Sequence, residues 1–330
     1  MEGWQRESYK QAVQQNNDSV HDSLLSVVVP FHINFKNQDS KFNPNPSIQH
    51  NRSVPFIYVD DHSESVNSQL LTLNSQLISS SYPRGKKYAL RAGMEYASTP
   101  YVITTDIDTN PTDEWLNAIA EYYSQHSTLN LPDLLILPLK MRQPRNFFEA
   151  MQETEYVALQ TLTGGYAMAG EPIMCSGANM VVNRLKWLDS WENIRPEVPS
   201  GDDMFVLHSF KRQGLSIGYL KSQAATLIIE PASCLKSLFR QRARWAGKAG
   251  HYTDRMTKLV GAVVVAANIS VLLFPPFVFV KWIIDLNLLW TSRTFFNFRR
   301  PVLKSLLLSV IYPFYVLATL ILIPFRGKDW

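Results

Sequence analysis

The chain of 330 residues has little cysteine and little charge. Cys175 and Cys234 are too few for a disulfide framework or a Cys-rich metal site, which fits a reducing compartment. Its 14 glycines and 19 prolines follow no period, excluding collagen-like and low-complexity chains. Charged residues make up 18%, below the roughly 25% usual in globular domains, a first sign of membrane contact. Met1 to Asn17 is polar, without the apolar core of a signal peptide, so the body is expected to stay in the cytoplasm. What is present is 46% apolar and 12% aromatic residue, enough for a real core and too much for a disordered chain. The length suits one large domain or two smaller ones.

The net charge of +4 hides two opposite regions. Residues 1–235 hold 18 Lys and Arg against 25 Asp and Glu, whereas residues 236–330 hold 14 against 3. An acidic body on a basic, apolar tail reads as a domain held on an anionic membrane face. Within the tail, Leu259–Val280 (22 residues) and Ser305–Phe325 (21 residues) carry no charge. Each exceeds the ~18 that mark a membrane-spanning candidate; the plain alternative is a very apolar helical core. If each run crosses once, both flanking sides are positive, against the positive-inside bias. A break at Pro275-Pro276 would fold the first run into a hairpin and return its second basic flank to the first side. The hairpin's arms are short for a hydrocarbon core of ~30 Å, so a re-entrant form also fits. Lys281 and Asp285 are four residues apart and can neutralise one another on one helix face.

Before the tail, strand and helix patterns alternate. Leu24–Pro30, Phe56–Val59, Tyr101–Thr104 and Leu134–Leu139 read as short buried strands. Gly85–Ala97 and Asn146–Leu162 have helical spacing, and Pro111-Thr112-Asp113-Glu114 is a helix start with acids in its first turn. This predicts an α/β fold with a largely parallel sheet. Asn34–Arg52 is polar and reads as a surface loop. The expected segments are a polar 1–23, a domain over 24–250 and a membrane region over 251–330.

In open α/β sheets, ligands sit beyond the carboxyl ends of the strands. Two such ends carry acids here: Asp60-Asp61, and Asp106-Ile107-Asp108. If the chain stays extended, Asp106 and Asp108 point the same way and can serve a hard divalent cation; otherwise they are a solvated turn. Asp202 and Asp203 precede an apolar helix, where one acid is either a cap or a general base. Gln241-Arg242-Ala243-Arg244-Trp245 reads as a basic membrane-surface helix or as a phosphate-facing arginine beside an aromatic platform.

The order of these pieces (VVVP, VDDHS, GKKYAL, TTDID, CSGAN, SGDDM and QRARW, then apolar helices) resembles the membrane-associated family 2 glycosyltransferases. These are the GT-A enzymes related to cellulose, hyaluronan and poly-N-acetylglucosamine synthases. The resemblance covers about residues 24–250; D-x-D and G-D-D are unspecific alone, but their order with Q-x-x-R-W is specific. It implies a GT-A fold, Rossmann-like with a mostly parallel central sheet and C-terminal transmembrane helices, on the cytoplasmic side of a multi-pass plasma-membrane protein. The reaction implied is inverting sugar transfer from a nucleotide-sugar donor to a lipid-linked or saccharide acceptor, in surface polysaccharide synthesis.

By the same resemblance, Asp60, Asp61 and Lys86 line the donor nucleotide pocket, and Asp106 and Asp108 hold Mg²⁺ or Mn²⁺ on the diphosphate. Asp203 takes the place of the base and Asp202 that of the acid before it. Gln241, Arg244 and Trp245 close over diphosphate and acceptor, while Gly177 and Asn179, in Cys175–Asn179, line the acceptor site. Partners implied are membrane lipids and polysaccharide-assembly proteins; nucleic acid is not among them, because lipid headgroups and a diphosphate account for the basic cluster.

Departures from the pattern are Phe31-His32-Ile33-Asn34 in place of an early acid, Arg91 where Asn is common, and Gly201 in place of Thr. Two or three membrane segments hardly enclose a polymer conduit, which favours single transfer or a short product. The competing reading is a catalytically inactive, nucleotide-sugar-binding subunit of a polysaccharide assembly complex.

Overall fold

The computed structural model describes residues 24–32, 54–63, 75–127, 130–198 and 200–323. The polar N-terminal segment, the loop over 34–52 and the end of the second apolar run lie outside the described residues. Strands β1 (Leu25–Phe31), β2 (Phe56–Asp60) and β4 (Tyr101–Thr104) form from the apolar, β-branched runs and are buried throughout. With β3 (Ser75–Ser79), β5 (Leu134–Ile136), β7 (Met180–Asn183) and β8 (Ile217–Tyr219) they make one sheet in the order β3-β2-β1-β4-β7-β5-β8. Only β7 runs antiparallel, between β4 and β5. A mostly parallel GT-A-type sheet is what the sequence led us to expect.

Helices cover both sheet faces. Val27, Val29 and Ile103 pack on one side with Trp115 and Tyr123 of α2 (Asp113–Gln125). Val28, Ile57 and Val102 pack on the other with Leu90 and Met94 of α1 (Lys86–Tyr96) and Phe205 and Phe210 of α5 (Asp202–Arg212). Alternate strand residues thus feed opposite layers, as the two-residue strand period requires. At Gly93 the layer is tightest: a Cβ there would lie 2.4 Å from Val28 Cγ1, so only glycine lets α1 settle on β1. Thr112 caps α2 by accepting from Trp115 N (3.2 Å) above Asp113 and Glu114, the expected helix start.

Two boundaries differ from expectation. The strand read over 134–139 is two, β5 and then β6 (Leu139–Met141), which pairs with β9 (Leu227–Ile229) in a separate small sheet. Pro138 has no N–H to continue the ladder, and Leu137 N donates sideways to Asn179 O (3.3 Å). The helix read over 146–162 continues as α3 (Phe147–Met168), capped by Asn146, because tertiary packing carries it past Gly164-Gly165. After the short α4 (Arg184–Asp189) and α5, helix α6 (Leu235–Ala246) leads to the apolar tail.

The tail forms α7 (Arg255–Leu273), α8 (Phe277–Ser292) and α9 (Pro301–Leu322). The first apolar run is broken at Phe274-Pro275-Pro276, where no helix can donate from proline. Of the described helices, α7 and α9 are long and apolar enough to cross a membrane. Helices α8 and α9 dock on α3 through Val157, Leu289, Phe296, Phe298 and Leu308, a Lys304–Glu153 ion pair (2.5 Å) and a Thr161–Ser292 hydroxyl contact (2.6 Å). Lys281 and Asp285 do pair along α8, and Ser309 of α9 donates to the same carboxylate (2.8 Å).

His208 of α5 is buried, with neither ring nitrogen hydrogen-bonded and the ring edge-on to Tyr252 (5.0 Å). Burial holds its pKa down at about 4, against an ordinary value near 6.5. The unfolded chain therefore takes up this proton first as pH falls from 6.5 to 4, so stability drops across that window by up to about 1.4 kcal/mol per pH unit. Chemical denaturation of His208→Phe should show a shallower acid-side loss than the wild type between pH 6.5 and 4.

Candidate active site

The acids at the strand ends and the start of α5 converge on one lysine. Lys86, the first residue of α1, donates from Nζ to Asp106 Oδ1 (2.6 Å) beyond β4, and lies 3.4 Å from Asp202 Oδ2 at the start of α5. Burial penalises the ammonium, yet Asp106 and Asp202 outweigh that cost and hold its pKa above the usual lysine range. Asp202 is buried; burial would raise its carboxyl, but Lys86, Lys248 and Lys87 together draw it below the ordinary value. Its Oδ2 is close to Lys86 but accepts no hydrogen bond.

Asp203 is half-buried and more accessible. Its Oδ1 accepts from Met204 N (2.7 Å) and its Oδ2 from Gly177 N (3.4 Å). Gly177 is needed here: a Cβ would stand 2.6 Å from Asp202 Oδ2 and 3.5 Å from Lys86 Nζ. The Gly177 carbonyl is itself held by Thr104 Oγ1 (2.9 Å) at the end of β4. Neither aspartate caps α5; Gly201 occupies that position, and both carboxylates sit in the first turn, where the helix dipole favours negative charge.

The Asp106–Asp108 segment is not extended, as the D-x-D expectation required. Thr109 N and Thr109 Oγ1 both donate to Asp106 O (3.1 and 2.7 Å), closing a turn that tucks Ile107 against the core. Asp108 is reached by solvent although protein surrounds it. Desolvation, then the neighbouring Asp106 charge, raises its carboxyl, while Lys86 and Arg244 oppose the shift. Among the described residues, no Lys, Arg or His forms an ion pair with Asp108, and no Asp or Glu forms one with Arg244.

Other expected residues stand apart. Asp60 accepts from Ser63 N (3.1 Å), and Asp61 takes Gly85 N on both oxygens (2.9 and 3.0 Å), fixing the start of α1. Burial raises the Asp61 carboxyl against the pull of that N–H and of His32, His62 and Arg84. Asn179 is fully buried, and its amide is spent on Pro138 O (2.7 Å), Ala225 O (3.0 Å) and Trp115 Nε1 (3.0 Å). It braces the sheet below the site. Gln241 accepts from Arg242 Nη1 (2.5 Å), and Trp245 packs on the core beneath the Arg242 guanidinium (4.3 Å).

Residues 51–136, which hold Asp60, Asp61, Lys86, Asp106 and Asp108, match the model of glycosyl transferase family 2. This segment of the chain is similar to family 2 glycosyltransferases. No curated protein matches the chain. Similar solved structures include residues 1–349 of Staphylococcus aureus TarS, at 16% identity over 67% of this chain and 64% of that one, TM-score 0.43. Another is glucosyl-3-phosphoglycerate synthase from Mycobacterium tuberculosis with Mn²⁺ and UDP-glucose, at 14% identity over 73% of this chain and 84% of that one, TM-score 0.44.

The site has supports that the sequence did not disclose. Arg242 is buried and forked onto Glu155 of α3, with Nη2 at 2.8 Å and Nε at 3.2 Å from the carboxylate. Tyr312 of α9 donates to the same Glu155 (3.3 Å). Helix α6, which carries Arg244, is therefore tied both to the catalytic domain and to the apolar tail. Tyr156, next to Glu155, lies within the fields of Arg242, Asp106 and Asp203, and burial first of all raises its phenol. At the head of α6, exposed Cys234 forms a capping box with Ser237, whose hydrogen bonds lower the thiol's pKa; Cys175 is buried and donates to Asp203 O (3.3 Å). Glu155 shares α3 with Glu149 and Glu153, so nothing in the sequence marked it out from its neighbours.

Gly177→Ala should displace Asp202 from Lys86 and cut sugar-transfer turnover about tenfold or more, as small misplacements in active sites do. Gly165→Ala, where a Cβ meets nothing within 4 Å, should leave turnover unchanged in the same assay. Glu155→Gln strands a buried guanidinium and should cost about 3–5 kcal/mol in denaturant unfolding. The double variant Glu155→Leu with Arg242→Met should recover most of that loss.

Proposed function

We propose that the protein is an inverting, metal-dependent glycosyltransferase that moves a sugar from a UDP-sugar to a lipid-linked or saccharide acceptor. The reaction takes place at the cytoplasmic face of a membrane in which α7–α9 are embedded, in surface polysaccharide synthesis. The observation that carries this reading is the gathering of Asp106, Asp202 and Asp203 around Lys86, with Asp108 and Arg244 close by and without ion-pair partners among the described residues.

Asp203 suits the base better than Asp202. It is accessible, and two backbone N–H groups hold its carboxylate in place. Asp202 is buried beside Lys86 and steadies that cation. As the acceptor oxygen attacks the anomeric carbon, Asp203 takes the hydroxyl proton and the bond to the diphosphate oxygen breaks on the opposite face, inverting the centre. Arg244 meets the negative charge gathering on the departing diphosphate.

Asp106 and Asp108 fit a hard cation shared with phosphate oxygens, since burial first and the Asp106 charge second disfavour an ionised Asp108 without one. Mg²⁺ or Mn²⁺ held there would neutralise the leaving diphosphate. The membrane placement is supported by the exposed Leu273, Phe279, Ile283 and Phe314, and by Arg293 folded over the exposed Trp290 (3.9 Å), an arrangement suited to the interface.

Detergent-purified protein with Mn²⁺ and UDP-sugars should release UDP in the presence of membrane lipid extract. Asp108→Ala and Asp203→Asn should each lower the rate by about 100-fold or more. Turnover unchanged in both variants would sink the assignment.

A further inference from the structure

Away from the acids, a cavity of about 310 Å³ opens where the catalytic domain meets the α8–α9 connection. Its walls are Lys140 of β6, Gln223 and Thr226 from the turn before β9, and Thr294, Phe295 and Asn297 from the connection. Gln223 fastens the two walls together, its Nε2 donating to Thr294 O (3.3 Å) and Phe295 O (2.8 Å). The Thr226 hydroxyl is spent on Ser222 O (2.9 Å). Among the described residues, the Lys140 ammonium, the Thr294 hydroxyl and the Asn297 amide have no hydrogen-bond or ion-pair partner, and no acid lines the cavity. One cation and two side chains able to donate, facing one polar space that no carboxylate lines, make a pocket suited to an anion.

The surroundings select the kind of anion. The connection that forms one wall also carries Arg293, Arg299 and Arg300, and no acid follows Asp285 until Asp329. On either side of it, Trp290, Val302 and Leu303 expose apolar surface. A free anion would use the donors and leave that surface bare, whereas a phosphate carrying acyl chains would use both. We propose that this cavity seats the phosphate headgroup of an anionic phospholipid, its chains lying along α8 and α9. The site rests on the membrane placement argued above but not on the transfer chemistry, and its test reads binding without any sugar donor.

The delipidated full-length protein in detergent would be titrated with dioctanoyl phosphatidylglycerol, dioctanoyl phosphatidylcholine, glycerol phosphate and inorganic phosphate, following the thermal unfolding midpoint. Phosphatidylglycerol should raise the midpoint saturably, and Lys140→Met should weaken the response about tenfold, the fold-change expected for a lost charge-assisted hydrogen bond. Lys140→Arg should retain the response. Thr294→Val with Asn297→Leu, which leaves the lysine in place, should also weaken it. An equal response to phosphatidylcholine, or an unchanged response in Lys140→Met, would overturn the proposal. A response to inorganic phosphate or glycerol phosphate that matches the lipid and is lost in Lys140→Met would assign the pocket to a soluble phosphate instead.

Discussion

One ammonium group holds the catalytic end of the sheet together. Lys86 begins α1, Asp106 follows β4, and Asp202 begins α5, so a single cation draws three elements from distant parts of the chain to one point. Without it, two carboxylates would face one another in a buried setting, where like charges repel strongly. The backbone makes this grip directional. Asp61 fixes the Gly85 N–H that precedes Lys86, and Gly177 brings its main chain within contact of Asp202. Asp203 is therefore oriented beside a scaffold in which Lys86 faces both Asp106 and Asp202, while Asp108 and Arg244 form no ion pair among the described residues.

A second buried pair carries that order outward. Arg242 and Glu155 join α6 to α3, and Tyr312 brings α9 to the same carboxylate. Arg244 stands two residues further along α6 and so cannot shift without disturbing a fork that the apolar tail also contacts. The tail's Lys304–Glu153 and Thr161–Ser292 contacts make the same connection at other points along α3. The apolar tail and the helix bearing Arg244 are thus joined through the same α3 side chains.

Much of this was legible in the sequence where the cause was local. The short run around Val27-Val28-Val29, ended by Pro30, reads as a strand buried on both faces, and acids just past such strands mark the ligand-bearing edge. The Pro275-Pro276 break follows from two missing donors. Reading failed where the cause was a distant partner. Asn179 sits in a loop pattern that suggests ligand contact, yet Trp115 and two carbonyls consume its amide. The Asp106–Asp108 turn depends on Thr109, and the antiparallel β7 looks like any other short apolar strand until its neighbours are known. Arg242 and Arg244 are indistinguishable in composition; only Glu155, remote in sequence, makes one a buried anchor, while the other stays partly exposed.

The two cysteines divide in a useful way. Cys175 is sealed beneath Asp203, while Cys234 is exposed at the head of α6 with its thiolate favoured by Ser237. A thiol-directed fluorophore or spin label would therefore attach at one place, on the helix that bears Arg244 and Trp245. The native chain thus comes with its own reporter position for watching that helix through a catalytic cycle.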